Sequence, residues 1–185
     1  MKAPEIVQDG NPTLRAMAAP VPESMFGTPE LKKIIDGMAL ALDGEKDGVA
    51  IAAPQIALPY RIFLVRYDRV ITAPEGTAEL PADIGVFINP EFVKSSRRRV
   101  ELEEGCLSVR GIYGKVLRHE RATVRAYKED GTKFERGGGG LLAQIFQHEM
   151  DHLEGMLFID HAIELRRSRH SEEIEAVEAE PVEAK

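Results

Sequence analysis

Several scarcities narrow this sequence before any motif is read. Among its 185 residues there is one cysteine, Cys106, which rules out an intrachain disulfide. No apolar run approaches the roughly 20 residues that span a bilayer, so no membrane partner is expected. The start, Met1-Lys2-Ala3-Pro4-Glu5, lacks the charged-then-apolar order of a secretory leader, which points to an intracellular protein. Positive charge is not in excess either. The net charge is −7, and the last fifteen residues, with six Glu against one Lys, carry −5 of it. The remainder is nearly balanced and lacks the basic footprint of a nucleic-acid binder, so no sequence-specific nucleic-acid partner is expected. The short cluster Arg166, Arg167 and Arg169 reads as a solvated helix face. No internal repeat is visible.

What is present suffices for one core. Hydrophobic residues make up 43%, ordinary globular usage. The length suits one domain over residues 1–170 followed by an acidic tail over 171–185. Residues 1–27, rich in Pro, read as an extended arm wrapped on the core. Thr28 and Pro29 open a helix as cap and first helical residue. Its apolar stripe is Leu31, Ile34, Ile35, Met38 and Leu42, and Gly44 stops it. Gly48–Gln55 is small and β-friendly. Arg61–Val65 and Gly85–Ile88 read as short strands, 72–83 as a surface loop, and Phe92–Glu103 and Lys115–Lys128 as two longer strands. Glu129–Thr132 is a turn between Tyr127 and Phe134. Gly137–Gly140 is expected to break the chain before a second helix from Leu141 to Gly155. With no Lys-Ser/Thr after it, that glycine run is not a phosphate cradle. A last amphipathic segment follows from Asp160. The expected fold is α+β, with antiparallel strands packed around a central helix.

That second helix carries His148-Glu149-Met150-Asp151-His152, an H-E-x-x-H pattern. Residues four apart share a helix face, so His148 and His152 can grip one metal ion while Glu149 reaches its water. Two His and a Glu on one turn of a mostly apolar helix would be costly to bury as mere polar core residues, and a metal satisfies all three. Downstream carboxylates, Glu164, Glu172 and Glu173, are poor third ligands, because the last two lie in a low-complexity tail. Cys106, in Glu104-Gly105-Cys106-Leu107-Ser108, is the better one, although a lone cysteine by itself is more often a small buried residue. Three protein ligands leave a fourth position open for water, as a catalytic site requires. Glu104 has two open readings: orienting a metal-bound His, or pairing with a buried Arg such as Arg118.

Three segments taken together resemble the peptide deformylase family: Gly48-Val49-Ala50-Ile51-Ala52-Ala53-Pro54-Gln55, Glu104–Ser108, and Gln147–His152. Gly10-Asn11-Pro12-Thr13-Leu14-Arg15 fits the same family, and the likeness covers nearly all of residues 4–165. The resemblance implies removal of the formyl group from the N-terminal formyl-methionine of nascent polypeptides, close to the ribosomal exit tunnel. It implies one divalent metal on Cys106, His148 and His152, natively Fe2+, with Zn2+, Ni2+ or Co2+ able to substitute. It makes Glu149 the acid/base, and Gln55 with the backbone N–H of Leu107 the oxyanion donors. It places Val49, Ala50, Gly105, Tyr113, Gln144 and Ile145 against the substrate, with the peptide added as a strand near Val49-Ala50 and Gly105. Ala50 stands where the family usually has a second Gly, Gln144 where it more often has an apolar residue, and Arg110 where it commonly has Pro. A cytoplasmic bacterial setting, or a trimmed organellar form, is the expected location. Two competing functions are a zinc endopeptidase and a non-catalytic metal or redox-sensing module.

Overall fold

The computed structural model describes residues 2–70 and 81–168. The tail, Arg169 and most of the expected loop over 72–83 lie outside the described residues. In chain order the elements are α1 (Pro29–Asp43), β1 (Ala50–Ala52), β2 (Ile62–Arg66), a short α2 (Tyr67–Val70), β3 (Ile84–Ser95), β4 (Arg99–Cys106), β5 (Val109–His119), β6 (Arg121–Tyr127), β7 (Lys133–Gly139), α3 (Leu141–Leu153) and β8 (Glu164–Arg167). They form two antiparallel sheets, one ordered β1-β2-β3-β6-β7 and the other β4-β5-β8. The fold is α+β, with α3 as its central helix.

Burial on both faces explains the unbroken apolar run of β2. Phe63 and Val65 join the core under α3, whereas Ile62 and Leu64 join the core under α1. Phe63 and Phe87 stack with ring centroids 4.5 Å apart, and Phe146 of α3 meets Phe87 edge-on at 5.3 Å. These rings tie the metal helix to the middle of the large sheet. On the opposite face Leu31, Ile35, Met38 and Leu42 bury the stripe of α1, and Thr28 caps that helix through Leu31 N at 3.3 Å. The arm over residues 2–27 is bonded in turn to the segment after β1, the turn between β4 and β5, and the end of α3: Val7 N donates to Gln55 O, Asp9 N to Ser108 O, and Ala18 N to Leu153 O. It thus laces together the three segments of the motif.

The structure corrects four local readings. The two long strands expected over 92–103 and 115–128 are each split between the sheets. The chain leaves β3 at Ser95 and re-enters as β4 at Arg99; it leaves β5 at His119 and re-enters as β6 at Arg121. Both crossings lie side by side, joined by Ser96 N to Arg121 O and Glu120 N to Arg98 O. Alternation continues through such a crossing because the backbone stays extended, so periodicity cannot mark it. Gly137–Gly139 do not break the chain but form the end of β7. A Cβ on Gly138 would sit 2.8 Å from Leu142, so glycine lets β7 run flush beneath α3. Finally, Arg166 and Arg167 lie on strand β8, paired to β5, rather than on a helix face. A four-residue edge strand has too little pattern of its own to be read.

Gly155 ends α3 with φ +74°, and a Cβ there would lie 2.7 Å from Arg15 O. Gly155→Ala is therefore expected to cost about 1–3 kcal/mol, read as a lowered urea midpoint. A shift below about 0.5 kcal/mol would show that the arm yields instead of the helix end.

Candidate active site

The last turns of α3 and the end of β4 converge where the arm crosses. Cys106 Sγ lies 3.2 Å from His152 Nε2, and the ligand atoms of Cys106, His148 and His152 all fall within 4.8 Å of one another. Burial works against ionisation of Cys106, but the two imidazoles outweigh it and hold the thiol well below its ordinary range. Glu149, 3% exposed, points an oxygen, Oε2, that has no hydrogen-bond partner among the described residues. Burial raises its carboxyl to about 7, against the pull of both imidazoles. A thiolate, two imidazoles and an unpartnered buried carboxyl suit a divalent cation of the zinc or ferrous type.

Glu104 makes both of the contacts left open for it, to His148 and to Arg118. Its Oε2 takes His148 Nδ1 at 3.0 Å, which turns the other ring nitrogen of His148 toward Cys106. The same carboxylate is gripped by Arg118, Nε to Oε1 at 2.7 Å and Nη2 to Oε2 at 2.8 Å. Burial would push Glu104 up, but Arg118 and His148 outweigh it and hold it at about 2. Arg118 Nη1 reaches on to Asp151 Oδ2 at 2.6 Å, and Asp151 lies 3.3 Å from His161 Nε2. Asp151 was passed over in the sequence, although a carboxylate beside a ligand within the motif was a usable signal.

Gln55 is oriented from behind. Its Oε1 accepts from Ala52 N at 2.8 Å, so Nε2 faces Ser108 Oγ at 3.2 Å and Cys106 Sγ at 3.5 Å. Leu107, next to Cys106, is buried and held from outside by Gln8 Nε2 on its carbonyl at 3.0 Å.

A cavity of about 310 Å³ opens onto these groups. Val49, Ala50, Gly105, Tyr113, Gln144 and Ile145 all line it, together with Gln55, Cys106, Leu107, His148 and Glu149. The outer strands β1 and β4, each at the end of its sheet, bring Ala50 and Glu103–Cys106 to its lining, and β5 and α3 complete it. Ala50 also belongs to the core cluster under α3. Gly105 faces Tyr113 across the ladder, and a Cβ there would come within 2.8 Å of the ring. Gln144 finds the partners a half-buried amide needs: Nε2 donates to Glu103 O at 2.7 Å and lies 3.4 Å from Glu104 Oε1. Arg110 pairs with Glu45 and Asp47 across the rim, which accounts for a charged residue at that place. Leu141, Ile112 and Val109 also line the cavity. Leu141 was legible, since it shares the helix face of Ile145 and His148.

Comparison with known proteins agrees with this geometry. The polypeptide deformylase family matches residues 3–168. A peptide deformylase of Hydrogenovibrio crunogenus is 41% identical over 156 residues, covering 84% of this chain and 83% of that one. Peptide deformylase 1A, chloroplastic/mitochondrial, of Arabidopsis thaliana is 35% identical over 85% of this chain and 60% of its own. The crystal structure of a class I type b peptide deformylase from Acinetobacter baumannii with Met-Ala-Ser bound superposes with a TM-score of 0.76. It is 31% identical and covers 87% of this chain and all of that one.

Proposed function

The chain belongs to the polypeptide deformylase family, and it hydrolyses the formyl amide at the N-terminus of new polypeptides; on that premise we propose that Cys106, His148 and His152 hold one divalent cation and that Glu149 moves the protons. The observation that carries this reading is three ligand atoms within 4.8 Å of one another beside a buried carboxyl with an unpartnered oxygen. Ferrous iron is the native ion in this proposal, with zinc, nickel or cobalt as substitutes, since all accept mixed sulfur and nitrogen ligands. Such an ion, when bound, supplies the Lewis acidity that makes water nucleophilic near neutral pH.

The chain's own residues do the rest. Glu149 takes a proton from the attacking water and passes it to the nitrogen of the leaving amine. Its buried carboxyl, next to the ligand His148 and with one oxygen unpartnered among the described residues, is placed for both transfers. Negative charge grows on the formyl oxygen as the water adds. Gln55 Nε2, fixed by Ala52 N, and the backbone N–H of Leu107 donate to that oxygen. The peptide lies between the edges of β1 and β4, near Val49-Ala50 and Gly105, with its first side chain among Val49, Tyr113, Gln144 and Ile145. Met-Ala-Ser in the Acinetobacter relative supports a short extended peptide in this cleft.

Residues 1–170 form the catalytic domain in this reading, with the acidic segment 171–185 outside it; the family match over 3–168 supports that boundary. The enzyme would meet its substrate as chains leave the ribosome, in a bacterial cytoplasm or, as for the Arabidopsis relative, in an organelle. No helix of the described residues is long and apolar enough to cross a membrane.

The test is formate release from formyl-Met-Ala-Ser by protein loaded anaerobically with iron or nickel, beside an unformylated peptide of similar length. Formate release with no internal cleavage is expected. Internal cleavage without formate release would favour an endopeptidase and sink the proposal.

A further inference from the structure

The two donors assigned to the formyl oxygen belong to different sheets. Gln55 lies in the turn that follows β1 of the large sheet, and Leu107 in the turn between β4 and β5 of the small one. No ladder among the described residues joins β1 to β4. The two turns touch through side chains, Gln55 Nε2 lying 3.2 Å from Ser108 Oγ and 3.5 Å from Cys106 Sγ. The spacing of the donors therefore depends on what bridges the turns.

Three consecutive residues of the arm bridge them. Val7 N donates to Gln55 O at 2.9 Å, Gln8 Nε2 to Leu107 O at 3.0 Å, and Asp9 N to Ser108 O at 2.8 Å. Gln8 alone of the three does so through its side chain. That amide also reaches Ile6 O at 3.3 Å, and the Gln8 carbonyl accepts from Asn11 N at 3.0 Å, so Gln8 is braced within the arm. The arm is itself anchored just beyond. Leu14 is fully buried, and Arg15 links Asp9, at 3.1 Å, to Asp160 in the segment after α3, at 2.6 Å. Asp160 Oδ2 in turn accepts from Leu157 N at 2.8 Å. Both donors are thus tied to the segment that follows the helix of Glu149.

The carbonyl and the N–H of Leu107 flank one Cα, with two soft dihedrals between their peptide planes. A bond on the carbonyl limits the rotation that aims the N–H. A misplacement of about 1 Å at a reacting centre can cost on the order of 10²-fold. Gln8 is exposed and does not line the cavity, so neither the core nor the substrate calls for an amide there.

We propose that Gln8 is a positioning residue for the reaction: it aims the Leu107 N–H at the formyl oxygen and, with the backbone of Val7 and Asp9, sets its spacing from Gln55. This role rests on the reading above, in which Gln55 and Leu107 are the oxyanion donors.

Gln8→Met, similar in length but unable to donate, tests it beside Gln8→Lys, which restores a donor. Asn89→Gly is the control, because Asn89 holds the same arm farther along, by two bonds to Val21 at 2.7 and 2.9 Å. With nickel-loaded protein and formyl-Met-Ala-Ser, Q8M should lower kcat about 5–30-fold, less than outright loss of an oxyanion donor, and leave KM within about twofold. Q8K should recover kcat to within about threefold of wild type, and N89G should stay within about twofold while unfolding at lower urea. In the zinc-loaded form the NMR order parameter of the Leu107 N–H should fall in Q8M from the roughly 0.85 of rigid backbone to below about 0.7, and recover in Q8K. Unchanged kcat in Q8M, an equal fall in N89G, or no recovery in Q8K would overturn the proposal. Wild type that releases no formate would overturn the catalytic reading and this role with it. Wild-type turnover that Q8M retains in full would overturn this role alone.

Discussion

Glu149→Gln is expected to lower kcat for formyl-Met-Ala-Ser by about 10²–10⁴-fold, the range of a positioned general acid–base. The same change should leave metal content at one ion per chain, measured by atomic absorption after gel filtration. The reasoning rests on isolation of function. Glu149 donates no atom to the Cys106, His148 and His152 cluster, and its Oε2 has no partner among the described residues. A Gln of equal size therefore keeps the packing of α3 and loses only the ability to take and return a proton. A drop of that size corresponds to about 3–5 kcal/mol in the barrier. The buried carboxyl is also held uphill, since burial raises it to about 7. The neutral amide removes that cost, so the variant should unfold no more easily than wild type. Turnover within threefold of wild type would remove Glu149 from the reaction. Loss of the metal together with activity would give it a structural role instead.

That site was legible because its parts are local. His148, Glu149 and His152 lie within two helical turns, and a 3.6-residue period determines their common face. Cys106 was reachable because Gly105 and Ser108 flank it at the end of a strand-like run. The cap at Thr28 and the turn at Glu129–Thr132 were legible for the same reason. What escaped depends on pairing between distant segments. The crossings at Ser96–Arg98 and at Glu120 leave no trace in the alternation, because β3 and β4 are both extended and differ only in which sheet receives them. Strand β8 takes its form from β5, through pairs such as Gly114 with Leu165, and not from its own four residues. The two roles of Glu104 could not be separated in the sequence. They turn out to be compatible only because the β4–β5 hairpin delivers Arg118 to the same carboxylate that holds His148. The rim pairs of Arg110 likewise depend on how the segment after α1 folds against the turn between β4 and β5.

Arg118→Leu is expected to destabilise the protein by about 3–5 kcal/mol, the cost of stripping one partner from a buried ion pair. Arg118 is 6% exposed and Glu104 2% at the side chain, so water cannot easily take over. The guanidinium spends three of its five donors on two carboxylates, with contacts of 2.7, 2.8 and 2.6 Å. Leucine matches part of the volume but leaves Glu104 and Asp151 without their shared cation. Lysine restores the charge, yet a single ammonium cannot reproduce the fork on Glu104 while reaching Asp151, so Arg118→Lys should recover less than half of the loss. The effect should extend to the metal. Glu104 fixes Nδ1 of His148, and a carboxylate freed from Arg118 no longer has one geometry in which to do so. Metal affinity, measured by competition with a chromophoric chelator, should fall about 10–100-fold. Denaturant unfolding of both variants in the presence of excess nickel separates the two losses: added metal offsets weakened binding but not the broken ion pair. A loss below 1 kcal/mol in Arg118→Leu would mean that Glu104 finds another partner, Gln144 at 3.4 Å being the nearest placed to serve.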